Sequence, residues 1–208
     1  MESLMNTPVT ALLLIIILIT SIKAFSDPGF LSKLVFVPAT IKRNKEWYRF
    51  ISHGFVHADP MHLIFNMISF YSFGVTLEQV FVFQFQELGV ILYLLLFLGG
   101  LVFSSLFDYF KYQNNYSYAA LGASGAVSAV IFAFIAIYPT ARIGLMFIPI
   151  PAPAWVFGLV YLAYCQFMAR AQVDNVGHNA HFWGSIFGLV FVCFIKPEIL
   201  ANIINIIF

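Results

Sequence analysis

LGASGAVSAV, residues 121–130, stands where a membrane-spanning helix is expected to begin, yet it holds two glycines, three alanines and two serines. The chain around it is far greasier. Of 208 residues 62% are hydrophobic and 9% charged, phenylalanine occupies 25 positions, and mean hydropathy is +0.92. That profile lies well outside the soluble range and places the chain in a bilayer. A net charge of +1 without a basic block gives no reason to expect nucleic acid as a partner. The lipid bilayer is the partner that matters.

A membrane-crossing helix takes about 20 largely apolar residues. Charge-free windows run over 3–22, 60–77, 88–107, 112–141, 143–169 and 175–195, which predicts six spans and an all-α polytopic bundle. Pro149, Pro151 and Pro153 trim the fifth to a helix over 154–169, because proline lacks the backbone donor. Residues 1–25 carry Glu2 and a long apolar run, and read as a retained first span rather than a cleaved leader. Residues 26–58 form the long connection; it carries most of the charges with Trp47 and Tyr48 and is expected to pack at the membrane surface. No internal repeat or second domain is visible, so 1–208 is read as a single membrane domain. The tail, 197–208, is expected to close with a brief helix over 199–208. Cys165 and Cys193 fall in apolar runs and read as small packing residues.

With six spans, the second, fourth and sixth all begin on one side. Residues near those starts therefore share a depth and can meet. His53, His57, His62 and Asn66 belong to the second span's start, Ser124 to the fourth, and His178 and His181 to the sixth. Ionisable groups in membrane spans are costly and mark function by default. A serine hydroxyl is a weak nucleophile until a base takes its proton, and histidine suits that work near neutrality; Ser124 with His181 is the simplest pair. Side chains on separate helices reach each other only if the backbones approach closely. The small residues 122–129, facing Gly184 and Gly188, supply the surfaces that allow it in lipid. His62 and Asn66, at i and i+4, share a helix face, and both can donate to a developing oxyanion.

GASG at 122–125 resembles the Gly-x-Ser-Gly motif of rhomboid intramembrane serine proteases. HGFVHADPMHLIFNM at 53–67 is similar to their second helix, and NAHFWGSIFG at 179–188 to their sixth. The match covers about 47–190, three motifs in order on alternate spans. The resemblance implies Ser124 as nucleophile, His181 as general base, and an oxyanion hole of His62, Asn66 and the Ser124 backbone N–H. It makes His57 structural, with Gly122, Gly125, Gly184 and Gly188 around the site. It places Arg49 in the first-loop Trp-Arg element, and matches Gly74 and Glu78 to a Gly-x3-Glu element whose carboxylate ties helices together. It also implies that the short fifth helix is a lateral gate, with Trp155 and Phe157 as the candidate gate residues beside Phe167. Where some members carry an aromatic four residues after the nucleophile, packed on the catalytic imidazole, this chain has Ser128; the partner that holds His181 is left unassigned. Eight Lys and Arg lie on the side of the first long loop and two on the other. The positive-inside rule would put that loop in the cytoplasm, whereas the family topology, adopted here, puts it outside.

The implied activity is an endopeptidase that cuts transmembrane segments of other proteins, with no metal or cofactor, in a bacterial inner membrane. Two alternatives stand beside it: a rhomboid-like protein that binds transmembrane helices without cutting, and a zinc membrane hydrolase using the clustered histidines. Against the latter, the chain has no His-Glu-x2-His helix.

Overall fold

The computed structural model describes residues 6–145, 148–171, 173–174 and 176–207. Residues 3–5, 146, 147 and 175 of the expected windows lie outside them. The first long helix, α1 (Pro8–Ser26), has proline in its opening turn, where the missing N–H costs nothing. The connection after it holds three short helices, α2 (Pro28–Leu34), α3 (Pro38–Asn44) and α4 (Arg49–Ser52), and a 3-10 turn, His53–Phe55. Then come α5 (Pro60–Phe85) and α6 (Glu87–Tyr112), separated by Gln86 alone. They are followed by α7 (Ser124–Ile137), a hairpin of β1 (Arg142–Leu145) and β2 (Ile148–Pro153), α8 (Ala154–Ala171), α9 (His178–Ile195) and α10 (Glu198–Ile207). The described residues are thus mainly helical, with one hairpin and the connecting loops. Among them three helices are long and apolar enough to cross a membrane: α1, α6 and α9.

The first long connection is held to itself and to the bundle by side-chain bonds. Arg49, buried, pairs with Glu46 at 2.6 Å and donates to the carbonyls of Ser32 and Val35, so one guanidinium cross-links α4 to the chain around α2. A bridge between Phe36 and Ala120 fastens this loop to the segment leading into α7. The loop and the start of α7 therefore lie together.

Several helix lengths differ from the charge-free windows: α1 runs past 22 to Ser26 and α6 past 107 to Tyr112, and α5 and α7 bear on the site. α5 runs past 77 to Phe85 because Glu78, which ended the window, is a fully buried structural acceptor. Its carboxylate accepts from the backbone N–H groups of Val9 and Thr10 at 2.9 and 2.7 Å, capping the orphan donors at the start of α1. The expected tie between helices is therefore made, and Gly74 leaves room for the Tyr93 hydroxyl, which bonds Thr10. The second of these is α7, which has only 14 residues; residues 113–123 reach it as non-helical chain.

α7 is the centre of the bundle. Of its residues only Ser124, Ile131, Phe134 and Ile137 are not buried. α6, α5, α8 and α9 all pack on it. The proline-rich stretch before α8 forms the hairpin, pairing Arg142 with Pro153 and Ile143 with Ala152. In the tail, Ile199 and Ile203 pack on the core while Leu200 and Ile204 face outward, giving the brief amphipathic helix expected.

Candidate active site

The site is built on contact between α7 and α9. A Cβ on Gly184 would overlap the backbone of Gly125, and one on Gly188 that of Ala129. The two helices run in the same direction with their backbones touching, which only glycine at both positions permits. On the other flank, a Cβ on Gly125 would enter Ser104 of α6. Ser124 precedes Gly125 by one residue and His181 precedes Gly184 by three, so both stand at the same end of this seam.

Ser124 is the first residue of α7. From Gly122 through Val130 it is the one residue that is not buried. As a first-turn residue its N–H has no acceptor within the helix, and the positive end of the helix dipole lies there. Gly122 turns the chain into it with φ +116°, in the left-handed region that favours glycine. Its Cα packs against the imidazole of His62, which a side chain at 122 would strike. Gly122 N–H donates to the His53 carbonyl at 2.9 Å.

His57 locks the same turn. Ala123 N–H donates to His57 Nε2 at 3.3 Å, so the proton sits on Nδ1. That Nδ1–H donates to Ser21 Oγ at 2.9 Å, and Ser21 in turn donates to the Phe55 carbonyl. Thr20 also donates to that carbonyl. The relay joins α1, the loop before α5 and the turn before Ser124; His57 is fully engaged and buried. His53 is held likewise, donating from Nδ1 to the Arg49 carbonyl at 2.8 Å.

His62 lies edge-on to His57, 4.9 Å between ring centroids. Asn66, one turn on and buried, donates through Nδ2 to the His62 carbonyl at 2.9 Å, which leaves its second N–H uncommitted. Of the two candidate oxyanion donors on α5, His62 thus lies against Gly122 in the turn before Ser124.

The partner of His181 comes from another helix. Tyr161 of α8 stacks on its ring, 6.4 Å between centroids and 20° from parallel, and the Tyr161 hydroxyl meets Ser128 Oγ at 3.4 Å. Ser128 is small and buried, so the space an aromatic at 128 would fill is taken by Tyr161. Motif reading missed this residue; its signal in the sequence was the absent aromatic at 128, which calls for a ring from elsewhere. Phe157, one turn before Tyr161, stacks on it in turn (5.8 Å, 18°) and packs with Phe132 and Ile135 of α7. Trp155 sits at the start of α8, half-buried, its N–H on the Pro139 carbonyl; Phe167 points outward, 69% exposed. At the start of α9, His178 Nε2 meets the Asp174 carboxylate at 3.0 Å. That bond is the main cause holding the Asp174 carboxyl below its ordinary range.

Comparison with known proteins agrees with this architecture. Residues 44–198 match the Rhomboid domain model. Mitochondrial rhomboid protein 1 of Saccharomyces cerevisiae is 29% identical over 153 residues, covering 72% of this chain and 42% of the relative. Rhomboid-related protein 2 of Mus musculus is 32% identical over 184 residues, 82% of this chain and 56% of the relative. Rhomboid protease GlpG of Haemophilus influenzae is 30% identical over 159 residues, 76% and 74% of the two chains. The chain belongs to the rhomboid family and is an integral membrane protein. It spans less than half the length of the yeast relative and about three quarters of the Haemophilus one.

Proposed function

We propose that this chain is an intramembrane serine endopeptidase that cleaves transmembrane segments of other membrane proteins. The observation that carries the reading is the placement of Ser124: the one residue from Gly122 through Val130 that is not buried, on the free-N–H turn of the central helix, at the same end of a glycine seam as His181. His181 takes the Ser124 proton as Oγ attacks the scissile carbonyl. The oxyanion is met by the Ser124 N–H, His62 and the spare N–H of Asn66; the Ala123 N–H is not available, being held by His57. His181 then protonates the leaving amine, and water releases the acyl group.

The same reading treats 1–208 as one membrane domain with six spans, adding α5, α7 and α8 to the three apolar helices. At 1.5 Å per residue the 14-residue α7 is about 21 Å long, against about 30 Å of hydrocarbon. Its first residue therefore lies below the membrane surface, reached by the non-helical 113–123, and water enters from the side of the first long loop, assigned to the outer face. A regular helix shields its peptide bonds, so a substrate must unwind locally to reach Ser124. The high coverage of the Haemophilus relative favours a bacterial inner membrane over a mitochondrial one. A helix-binding protein without activity fits less well, because nucleophile, base and donors are all present.

The test is labelling of purified protein in detergent with a fluorophosphonate, beside cleavage of a model transmembrane substrate. Wild type should label and cut, and Ser124→Ala and His181→Ala should lose about 10³-fold or more of the cleavage rate. A folded wild type that neither labels nor cuts would establish the helix-binding alternative instead.

A further inference from the structure

Cys165, read from the sequence as a packing residue, is fully buried on α8. It faces two histidines at i and i+3 on α9. One ligand atom from each of Cys165, His178 and His181 lies within 4.8 Å of the other two.

The informative member is His178. Its ring is 4% exposed, and Nε2 is taken by the Asp174 carboxylate. A carboxylate only accepts, so Nε2 carries the proton and Nδ1 is a bare lone pair. That Nδ1 is buried and has no hydrogen-bond partner among the described residues. A buried acceptor with nothing to accept from is unfavourable and calls for an explanation. An imidazole tied to a carboxylate through one nitrogen and open at the other is the arrangement that metal-bound histidines adopt. Here a nitrogen of the same ring lies within 4.8 Å of a thiol and a second imidazole. One sulfur and two ring nitrogens form a donor set for a borderline-soft divalent ion.

We propose that Cys165, His178 and His181 bind a divalent transition-metal ion, zinc foremost, and that its occupancy silences the hydrolase by taking the His181 lone pair. The binding stands on the cluster itself; the inhibition rests on His181 as general base. In tetrahedral zinc, with about 2.3 Å to sulfur and 2.0–2.1 Å to nitrogen, donor atoms are about 3.3–3.6 Å apart. The ligand atoms therefore draw in by up to about 1.5 Å on binding, a shift within reach of side-chain rotation on α8 and α9. The thiol loses its proton to solvent when it ligates, so binding releases a proton and strengthens as pH rises. The Asp174 carboxylate stays outside the coordination shell and orients His178. This is an inhibitory ion, distinct from the catalytic zinc of a metallohydrolase.

The experiment titrates chelator-stripped full-length protein with Co²⁺, reading thiolate-to-cobalt absorption in the near ultraviolet, and follows fluorophosphonate labelling of Ser124 with and without Zn²⁺. One equivalent of Co²⁺ should develop the band, and Zn²⁺ should displace it. Cys165→Ala should abolish the band, leave metal-free labelling intact and make labelling insensitive to Zn²⁺. Asp174→Asn, a change at an exposed position, should weaken Co²⁺ binding by about 10–100-fold. Absence of the band in wild type, or its persistence in Cys165→Ala, would overturn the site, as would equal zinc inhibition of both proteins. Metal-free labelling without a cobalt band sinks the metal site and leaves the protease reading standing. A cobalt band in a folded protein that never labels does the reverse.

Discussion

His181 lies between two helix contacts of opposite character. On one side α9 meets α7 backbone to backbone through Gly184 and Gly188, with no side chain between them. On the other it faces α8, where contact is made by rings: Tyr161 on His181, Phe157 on Tyr161, Tyr164 edge-on to His178. Only Ala154, Gly158 and Cys165 of α8 are buried, against ten residues of the shorter α7. The comparison teaches a division of labour. A backbone contact has no rotamers and one arrangement, which fixes Ser124 and His181 relative to each other; a contact made by rings on a lightly buried helix is the one expected to yield first.

The seam should break hardest. In Gly188→Val the added methyls would enter the Ala129 carbonyl, which cannot rotate away. Overpacking costs about 1–3 kcal/mol where side chains can yield, so a clash with backbone should sit at or above that upper end. Thermal unfolding in detergent should show a large fall in Tm, with fluorophosphonate labelling lost even where helical content persists. A variant that keeps wild-type Tm and labelling would mean the seam has slack.

Breaking the ring side should cost rate and spare the fold. Tyr161→Ala removes a stacked partner worth about 0.5–1.5 kcal/mol and frees the imidazole to swing; misplacement of a catalytic group by about 1 Å costs about 10²-fold. Cleavage should drop by about 10–100-fold in kcat with KM nearly unchanged and Tm lowered only slightly. Tyr161→Phe should stay within a few-fold, since the 3.4 Å contact to Ser128 is weak. The pair can be sharpened by returning the aromatic to the place it holds in some family members. Ser128→Tyr alone should be harmful, because Tyr161 fills that space. Combined with Tyr161→Ala it should recover activity relative to either single change, a favourable coupling that a double-mutant cycle measures. Additive losses would show that Tyr161 is not the substitute for an aromatic at 128.

How far the sequence foretold all this follows the same division. The seam was legible, because glycines at i and i+4 and the motifs around Ser124 and His181 are local patterns with a physical reason to face each other. The Glu78 tie and the Arg49 loop came through the resemblance. The end of α5 was misjudged, since a window that stops at a charge cannot know that Glu78 caps another helix. The ring side was not legible. Tyr161 reaches His181, and Cys165 reaches His178, only through the packing of α8 on α9, and nothing in residue order sets the rotation of one helix against another. Ser128 announced that something was missing and could not say what replaced it.

The mildest effect expected concerns the outer part of the ring side. Phe157 touches Tyr161 and the α7 residues Phe132 and Ile135, but not the imidazole. Its loss should loosen α8 without disturbing the base. If opening of α8 limits the entry of a transmembrane substrate, Phe157→Ala raises cleavage of that substrate by about two- to tenfold, as gating steps that limit turnover allow. On the proposed reading a fluorophosphonate enters from the aqueous side without opening of α8, so its labelling rate should be unchanged. The two readouts separate a gate from a brace. Faster cleavage with constant labelling assigns Phe157 to the gate. A parallel fall in both would show that its stack on Tyr161 holds His181 in place, and would move the boundary between the fixed and the movable sides of the site one turn outward along α8.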